Sequence, residues 1–411
     1  MPSISRKRVP PKRIGLFGGF GFGNSGNEGS LEAMLIFLRQ LRPDADLVCI
    51  CPVPDEVRKD HGISALSFSS SSSGTFIRFL NRLLFRAPSR LANWIHAITE
   101  LRKLDLLIIP GTGILDDYNT GPWSFPYILF RWCLSARLCG TELWFVSIGA
   151  GPIHHPVSRR LMKWAAAMAQ YRSYRDTISK EFMEGIGLDA HSDPIYPDLA
   201  FKLPSPERSK PQGSDAEVLT VALGVMNYGG WRSDLRHQTD IVDEYIKKVT
   251  KFLAWLLDGG YRVRILTGDR FDQPAIDYLM GALAGEGQTI PSESLVVEPT
   301  LTLYEVMRQI ALADIVVATR FHNVVCALKL GRPTISVGYA DKNDALLADM
   351  GLAGFCQHIE KLDVELLIEQ FIALAADRHV HARRIKKVVQ AYQQRLAEQD
   401  AFLASRLLPG M

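Results

Sequence analysis

The chain of 411 residues contains no apolar run long enough to cross a bilayer, which would need roughly 20 consecutive residues. It also has no excess of one charge. The 47 Lys and Arg stand against 44 Asp and Glu, for a formal net charge of +3, so the electrostatic footprint of a general nucleic-acid binder is missing. Cysteine is sparse and scattered, six in all. Cys133, Cys139 and Cys326 fall in apolar segments and read as buried thiols of a reducing compartment rather than a disulfide framework. Cys49-Ile50-Cys51 lacks zinc-ligand spacing and lies on a strand-like run. The segment Met1–Arg13 is a basic, proline-containing tail with no apolar core behind it, so no secretory signal is expected and the expected location is cytoplasmic.

What is present suits a folded α/β protein. Apolar residues make up 47% and charged residues 22%, and a chain of this length is expected to split into two domains. Short apolar runs alternate with amphipathic helical stretches, the pattern of parallel sheets. Strands are expected at Ile14–Phe17, Leu47–Cys51, Leu106–Ile109, Leu143–Ile148 and Tyr171–Tyr174, with a helix over Leu31–Gln40. The polar, proline-rich stretch Leu203–Ala216 reads as a linker. The rhythm then restarts: strands at Val218–Met226, Arg262–Thr267, Leu295–Val297, Ile315–Ala318 and Thr334–Val337, and helices at Ile241–Leu257, Val324–Leu330, Asp363–Ala376 and His381–Ala404. Thr302 and Glu305 have capping-box spacing. The expectation is a basic tail at 1–13, Rossmann-like domains at 14–202 and 217–411, a linker at 203–216, and a cleft between the domains. Ligands in such sheets gather at the carboxyl ends of strands.

Three glycine-rich turns follow expected strands: Gly18 through Gly26, Gly111-Thr112-Gly113, and Gly149-Ala150-Gly151. Glycine lets backbone approach a ligand closely, and the helix start after such a turn suits an anion. In the first turn Asn24, Asn27 and Glu28 add groups that can meet sugar hydroxyls; Asp116 and Asp117 follow the second. Arg172 and Arg175 flank a strand-like segment beside Asp176, and residues three apart on a strand face opposite sides. The strongest cluster is Thr319-Arg320-Phe321-His322-Asn323. There a guanidinium suited to carboxylate or phosphate stands two residues from an imidazole that can move protons. Gly338-Tyr339-Ala340-Asp341-Lys342 ends the next strand and offers another cation.

The order of these pieces resembles the polysaccharide pyruvyl transferase family. The resemblance rests on Gly23-Asn24-Ser25-Gly26-Asn27-Glu28, Gly111-Thr112-Gly113, Gly149-Ala150-Gly151-Pro152, Arg175-Asp176, Asp198-Leu199-Ala200, Arg320-Phe321-His322 and Tyr339-Ala340-Asp341-Lys342. It runs from about Ile14 to Leu352, with Asn27 standing where the family often has aspartate. It implies a GT-B-like fold and transfer of pyruvate from phosphoenolpyruvate onto two hydroxyls of a sugar, forming a ketal. His322 would be the acid/base, with Arg320 and Arg175 on the donor's anionic ends. The substrate-binding residues would be Gly23, Asn24, Gly26, Glu28, Gly111, Gly113, Asp117, Gly149, Gly151, Asp198, Tyr339 and Lys342, with the glycine turns and Glu28 shaping the acceptor side. The scheme calls for no metal and no cofactor besides phosphoenolpyruvate as co-substrate. The acceptor would be a cell-surface or exopolysaccharide or its lipid-linked precursor.

The same residues also fit a nucleotide-sugar glycosyltransferase of GT-B architecture, whose leaving group is likewise anionic, and a non-catalytic polysaccharide assembly protein on the same scaffold. Finally, Arg78, Arg82, Arg86 and Arg90 recur every fourth residue beside Phe79, Leu80, Leu83 and Leu84, up to Pro88, where the helix is expected to break. This stripe is either a solvated helix face or a peripheral contact with anionic membrane.

Overall fold

The computed structural model describes residues 11–70, 87–207, 218–230, 238–285, 293–300 and 302–408. The chain divides into two compact units. The first comprises Met1–Phe22, Ser30–Leu199 and Arg395–Met411, and the second comprises Gly23–Gly29 and Ala200–Gln394.

The first unit is built on six parallel strands: β1 (Arg13–Phe17), β2 (Asp46–Cys51), β3 (Ser64–Ser67), β4 (Leu106–Pro110), β5 (Glu142–Ile148) and β6 (Tyr171–Tyr174). Their order is β3-β2-β1-β4-β5-β6, with Ile14 opposite Leu47 on one side and Leu106 on the other. Because a parallel sheet is covered on both faces, its strands are apolar almost throughout; β4 is buried at every position. Phe17, Trp132, Phe145 and Leu129 make the centre of its core.

The second unit repeats the plan with β7 (Thr220–Gly224), β8 (Arg262–Leu266), β9 (Leu295–Val297), β10 (Ile315–Ala318), β11 (Thr334–Gly338) and β12 (Cys356–His358), in the order β12-β11-β10-β7-β8-β9. The helix Leu303–Ala311 begins with the expected capping box, Thr302 Oγ1 accepting from the Glu305 N–H at 3.2 Å while Glu305 Oε2 accepts from the Thr302 N–H at 3.1 Å. No described helix is long and apolar enough to cross a membrane.

Several details differ from the sequence reading. The edge strands β3 and β12 were not expected: four and three residues long and partly polar, they carry little periodic signal. Arg78, Arg82 and Arg86 lie outside the described residues, as does most of the expected linker. Pro88 stands in the first turn of the helix Ala87–Leu101, where its missing N–H leaves no bond unmade, and the stretch before it, where the break was expected, lies outside the described residues. The closing helix Arg378–Leu407 does not stay with one unit, for its residues from Arg395 onward belong to the first. A buried polar cluster explains that membership. Ser147 Oγ donates to Gln399 Oε1 at 3.1 Å, Gln399 Nε2 donates to Ser173 Oγ at 2.9 Å, and the Ser147 N–H donates to Ser173 Oγ at 2.8 Å. All three side chains are fully buried.

Replacing Gln399 with Leu leaves two buried hydroxyls short of partners, each such loss costing about 1–3 kcal/mol. Gln399→Leu is therefore expected to lower the thermal unfolding temperature of the purified chain measurably, whereas Gln399→Glu at acidic pH, where its carboxyl is protonated, should recover part of the loss.

Candidate active site

In the second unit the loops after four neighbouring strands converge, as parallel sheets dictate. The loop after β8 turns at Gly268 and runs into the short 3-10 helix Arg270–Asp272. The segment Gly23–Ser25 lies antiparallel against it: the Asn24–Asp269 pair forms a bridge, the Ser25 N–H and Oγ donate to the Gly268 carbonyl at 3.2 and 2.7 Å, and Asn24 Nδ2 donates to Asp269 Oδ2 at 3.0 Å. Asn24 also starts the helix Ser25–Leu41, its Oδ1 accepting from the Asn27 N–H at 3.2 Å.

The loop after β10 supplies Arg320 and His322. The helix begins sooner than expected, at Phe321, so Arg320 is its N-cap and His322 stands in its first turn. The His322 ring lies directly over Gly26: a Cβ added at Gly26 would fall within the imidazole. Gly26 is thus glycine for want of space. Gly268 is similarly confined, with Arg320 Cγ at 2.9 Å and Asn323 Oδ1 at 3.1 Å from the position of an added Cβ.

Arg320 is not an open cation. Its Nε and Nη2 grip Asp272 at 3.0 and 2.5 Å in a forked pair, and Nη1 reaches Asp269 Oδ2 only at 3.8 Å. Burial works against the charge on Arg320, but Asp272 and Asp269 outweigh it and hold the guanidinium above its ordinary range. Burial pushes the Asp269 carboxyl up, against the pull of Arg320. The strand end below is braced by Tyr245, whose hydroxyl meets Thr319 Oγ1 at 2.8 Å and is pushed up to about 12 by burial. Beyond β11, Tyr339 stacks on Tyr228 with centroids 5.5 Å apart, and Lys342 Nζ stands 5.3 Å from the Tyr339 ring and 5.7 Å from the Phe321 ring, a cation–π arrangement. Glu28 is half-buried in the first turn of its helix.

The remaining expected residues assemble in the first unit. Its glycine turns follow the adjacent strands β4 and β5 and are laced together, the Gly149 N–H donating to the Thr112 carbonyl at 2.7 Å and the Gly111 N–H to Val146 at 2.7 Å. Arg175 packs against Gly149, where an added Cβ would meet its Cζ at 2.6 Å, and pairs with Asp198 at 3.1 Å and Asp176 at 3.4 Å. With its side chain 3% exposed, Arg175 is enclosed rather than presented to an anion. The expectation set it on the donor; here two carboxylates already answer its charge. Asp117 accepts from the backbone N–H groups of His154 and His155 at 2.9 and 2.8 Å, so it clips a loop. Gly113 lies near Asp116, and Gly151 is pressed against Phe182. Arg172 turns to Asp193 at 2.6 Å.

The sequence reading missed Asp269 and Asp272. Thr267-Gly268-Asp269 is one more glycine turn after an apolar strand, and the strand-end rule would have found it.

The fold class these units define is α/β of the GT-B-like kind. Solved structures of similar fold include the UDP-GlcNAc 2-epimerase from Methanocaldococcus jannaschii, with a TM-score of 0.57 at 11% identity over 88% of this chain and 92% of that one. The UDP-GlcNAc 2-epimerase from Neisseria meningitidis bound to UDP-GlcNAc gives 0.56 at 10%, over 94% and 99%. MurG from Acinetobacter baumannii gives 0.51 at 13%, over 93% and 100%. No curated protein matches the sequence. The profile of the polysaccharide pyruvyl transferases does match, over residues 24–341, and the chain belongs to that family.

Gly26→Ala must displace His322 from its seat. A Gly26→Ala protein is expected to fold with nearly unchanged circular dichroism but to lose the protection that burial of Nε2 gives His322 against ethoxycarbonylation by diethyl pyrocarbonate; equal rates in the two proteins would contradict the seating.

Proposed function

We propose that this transferase moves the pyruvyl group of phosphoenolpyruvate onto two hydroxyls of one sugar residue, closing a ketal on a cell-surface or exopolysaccharide or on its lipid-linked precursor. The observation that carries the reading is the seating of His322 on Gly26. Two segments far apart in the chain, both within the stretch matched by the family profile, meet side chain to backbone.

The chemistry asks for a proton on the donor's methylene carbon, which leaves positive charge at the central carbon. One hydroxyl attacks there and gives up its proton; phosphate departs; the second hydroxyl closes the ring and gives up another. One group cycling between acid and base serves these steps, and His322 is assigned that role. The donor brings a carboxylate and a phosphate. The starts of the helices Ser25–Leu41 and Phe321–Lys329 both lie at this site, and helix starts favour anions. Lys342 supplies the nearby positive charge, Arg320 places the start of the helix that carries His322, and Glu28 and Asn24 are assigned to the acceptor. Arg175 and Asp198 are assigned to holding the glycine turn at Gly149, as positioning residues. A peripheral contact with anionic membrane belongs to the same reading. On the first unit Arg90 is exposed beside Trp123, with Leu91 63% and Ile95 56% exposed on the same helix.

Incubation with phosphoenolpyruvate and a panel of saccharides, read by mass spectrometry, should show the fixed mass gain of a ketal and release of inorganic phosphate. His322→Ala should lower turnover by about 10²–10⁴-fold with acceptor binding kept. Turnover with a nucleotide sugar and none with phosphoenolpyruvate would sink the reading in favour of a glycosyltransferase.

For the membrane contact, the protein should float with vesicles of anionic lipid at low salt, and the Arg90→Glu, Trp123→Ser protein should float less. Flotation that ignores both salt and the substitutions would rule the contact out.

A further inference from the structure

We propose that the second unit carries a separate binding pocket for a small molecule bearing two or more phosphate groups, at the opposite edge of the sheet from His322. The pocket has a volume of 500 Å³ and is lined by Asp314, Gly331, Arg332, Arg378, Arg383 and Lys386, among others. Asp314 directly precedes β10 and Arg332-Pro333 directly precede β11, so it opens at the amino-terminal ends of these strands. The residues around Arg320 stand at their carboxyl ends.

One helix face builds most of the wall. Arg378, Ala382 and Lys386 succeed each other at four-residue spacing on the helix Arg378–Leu407, so they stand in one row. His379 and Arg383 flank that row. The row spans about 12 Å along the helix at its rise per residue, which suits separated phosphates better than a single one. Ala382, in the middle, leaves the space. The stem of Lys386 lies on Gly331, where an added Cβ would meet its Cγ at 2.9 Å, and this fixes the side chain at the rim. Arg332 closes the floor, its Nη2 donating to the Ala311 carbonyl at 2.6 Å.

The charges do not balance within the pocket. Arg332, Arg378, Arg383 and Lys386, with His379, face Asp314 as the one acidic residue of the lining, and Asp314 Oδ2 already accepts from the Thr220 N–H at 3.1 Å. Exposed Asp377 precedes the helix without lining the pocket. The first helical turn holds no acidic residue and starts with Arg378 and His379. Cations there oppose the positive end of the helix dipole, a cost that a bound anion reverses. Paired guanidinium and ammonium groups are the usual partners of phosphate.

Calorimetric titration of the full chain at matched ionic strength tests the proposal, with inorganic pyrophosphate against inorganic phosphate. Pyrophosphate should bind more tightly than phosphate. The exposed-site double variant Arg383→Glu, Lys386→Glu should weaken pyrophosphate by at least about tenfold, the scale of one lost charge-assisted contact. Ala382→Phe, which keeps every charge but fills the space, should do the same. No binding by the parent, or binding that survives Ala382→Phe or the double charge reversal, would overturn the assignment.

Discussion

The carboxyl edge of the second sheet depends on one buried ion pair, Arg320 with Asp272. Asp272 is fully buried, and its oxygens take the forked guanidinium together with the N–H groups of Asn227 and Gly268. One carboxylate therefore ties the loops that follow β7, β8 and β10. Removing one partner of a buried pair typically costs about 3–5 kcal/mol, because the other charge is left behind without compensation. The pair sets the place of Arg320, hence the start of the helix that carries His322, and through Gly268 the seat of Asn24 and Ser25. The first unit uses the same device with other residues: Arg175, pinned by Asp198 and Asp176, is the wall against which Gly149 packs.

Much of the fold was legible because parallel strands buried on both faces announce themselves as short apolar runs. Ten of the strands fall where such runs predict them, while the two edge strands, β3 and β12, do not stand out. The site was legible by position and less so by role. Arg320 and His322 stand out because they follow an apolar strand, yet nothing local says that a carboxylate from another loop closes on the guanidinium. Asp272 lies 48 residues from Arg320, and only the sheet order, with β7 between β10 and β8, brings the two loops within reach. The pairing of Arg175 was hidden for the same reason: its partner Asp198 is 23 residues away. Gly26 was read as backbone freedom, whereas its contact with His322 makes it a matter of volume.

Charge placement bears on how an anionic donor would be held under the proposed reaction. Two carboxylates, Asp269 and Asp272, accompany Arg320, so that trio offers a doubly charged ligand little net attraction. Attraction must then come from groups whose charge is not already answered: helix starts, Lys342 over its aromatic rings, and backbone N–H groups that glycine lets a ligand approach. These are fixed dipoles and a screened cation rather than a bare arginine, and fixed dipoles need no rearrangement as charge moves during reaction. The same reasoning suits a donor that must be released as phosphate after each turnover, since a deep bare-cation trap would hold the product.

The buried Asp269 gives that arrangement a second consequence. Its carboxyl, raised by burial and bonded to Asn24, sits beside the segment on which His322 rests. A carboxyl that takes up a proton readily lowers the local negative charge when it does so, and a ligand that brings more negative charge favours that uptake. Under the proposed reaction, this would link anion binding to protonation where the chemistry needs both. Burial and the neighbouring Asp272 raise this carboxyl, while Arg320, the Phe271 N–H and the bond from Asn24 pull it down. The strap that docks on this loop, through Asn24, therefore supplies one of the groups that oppose the rise.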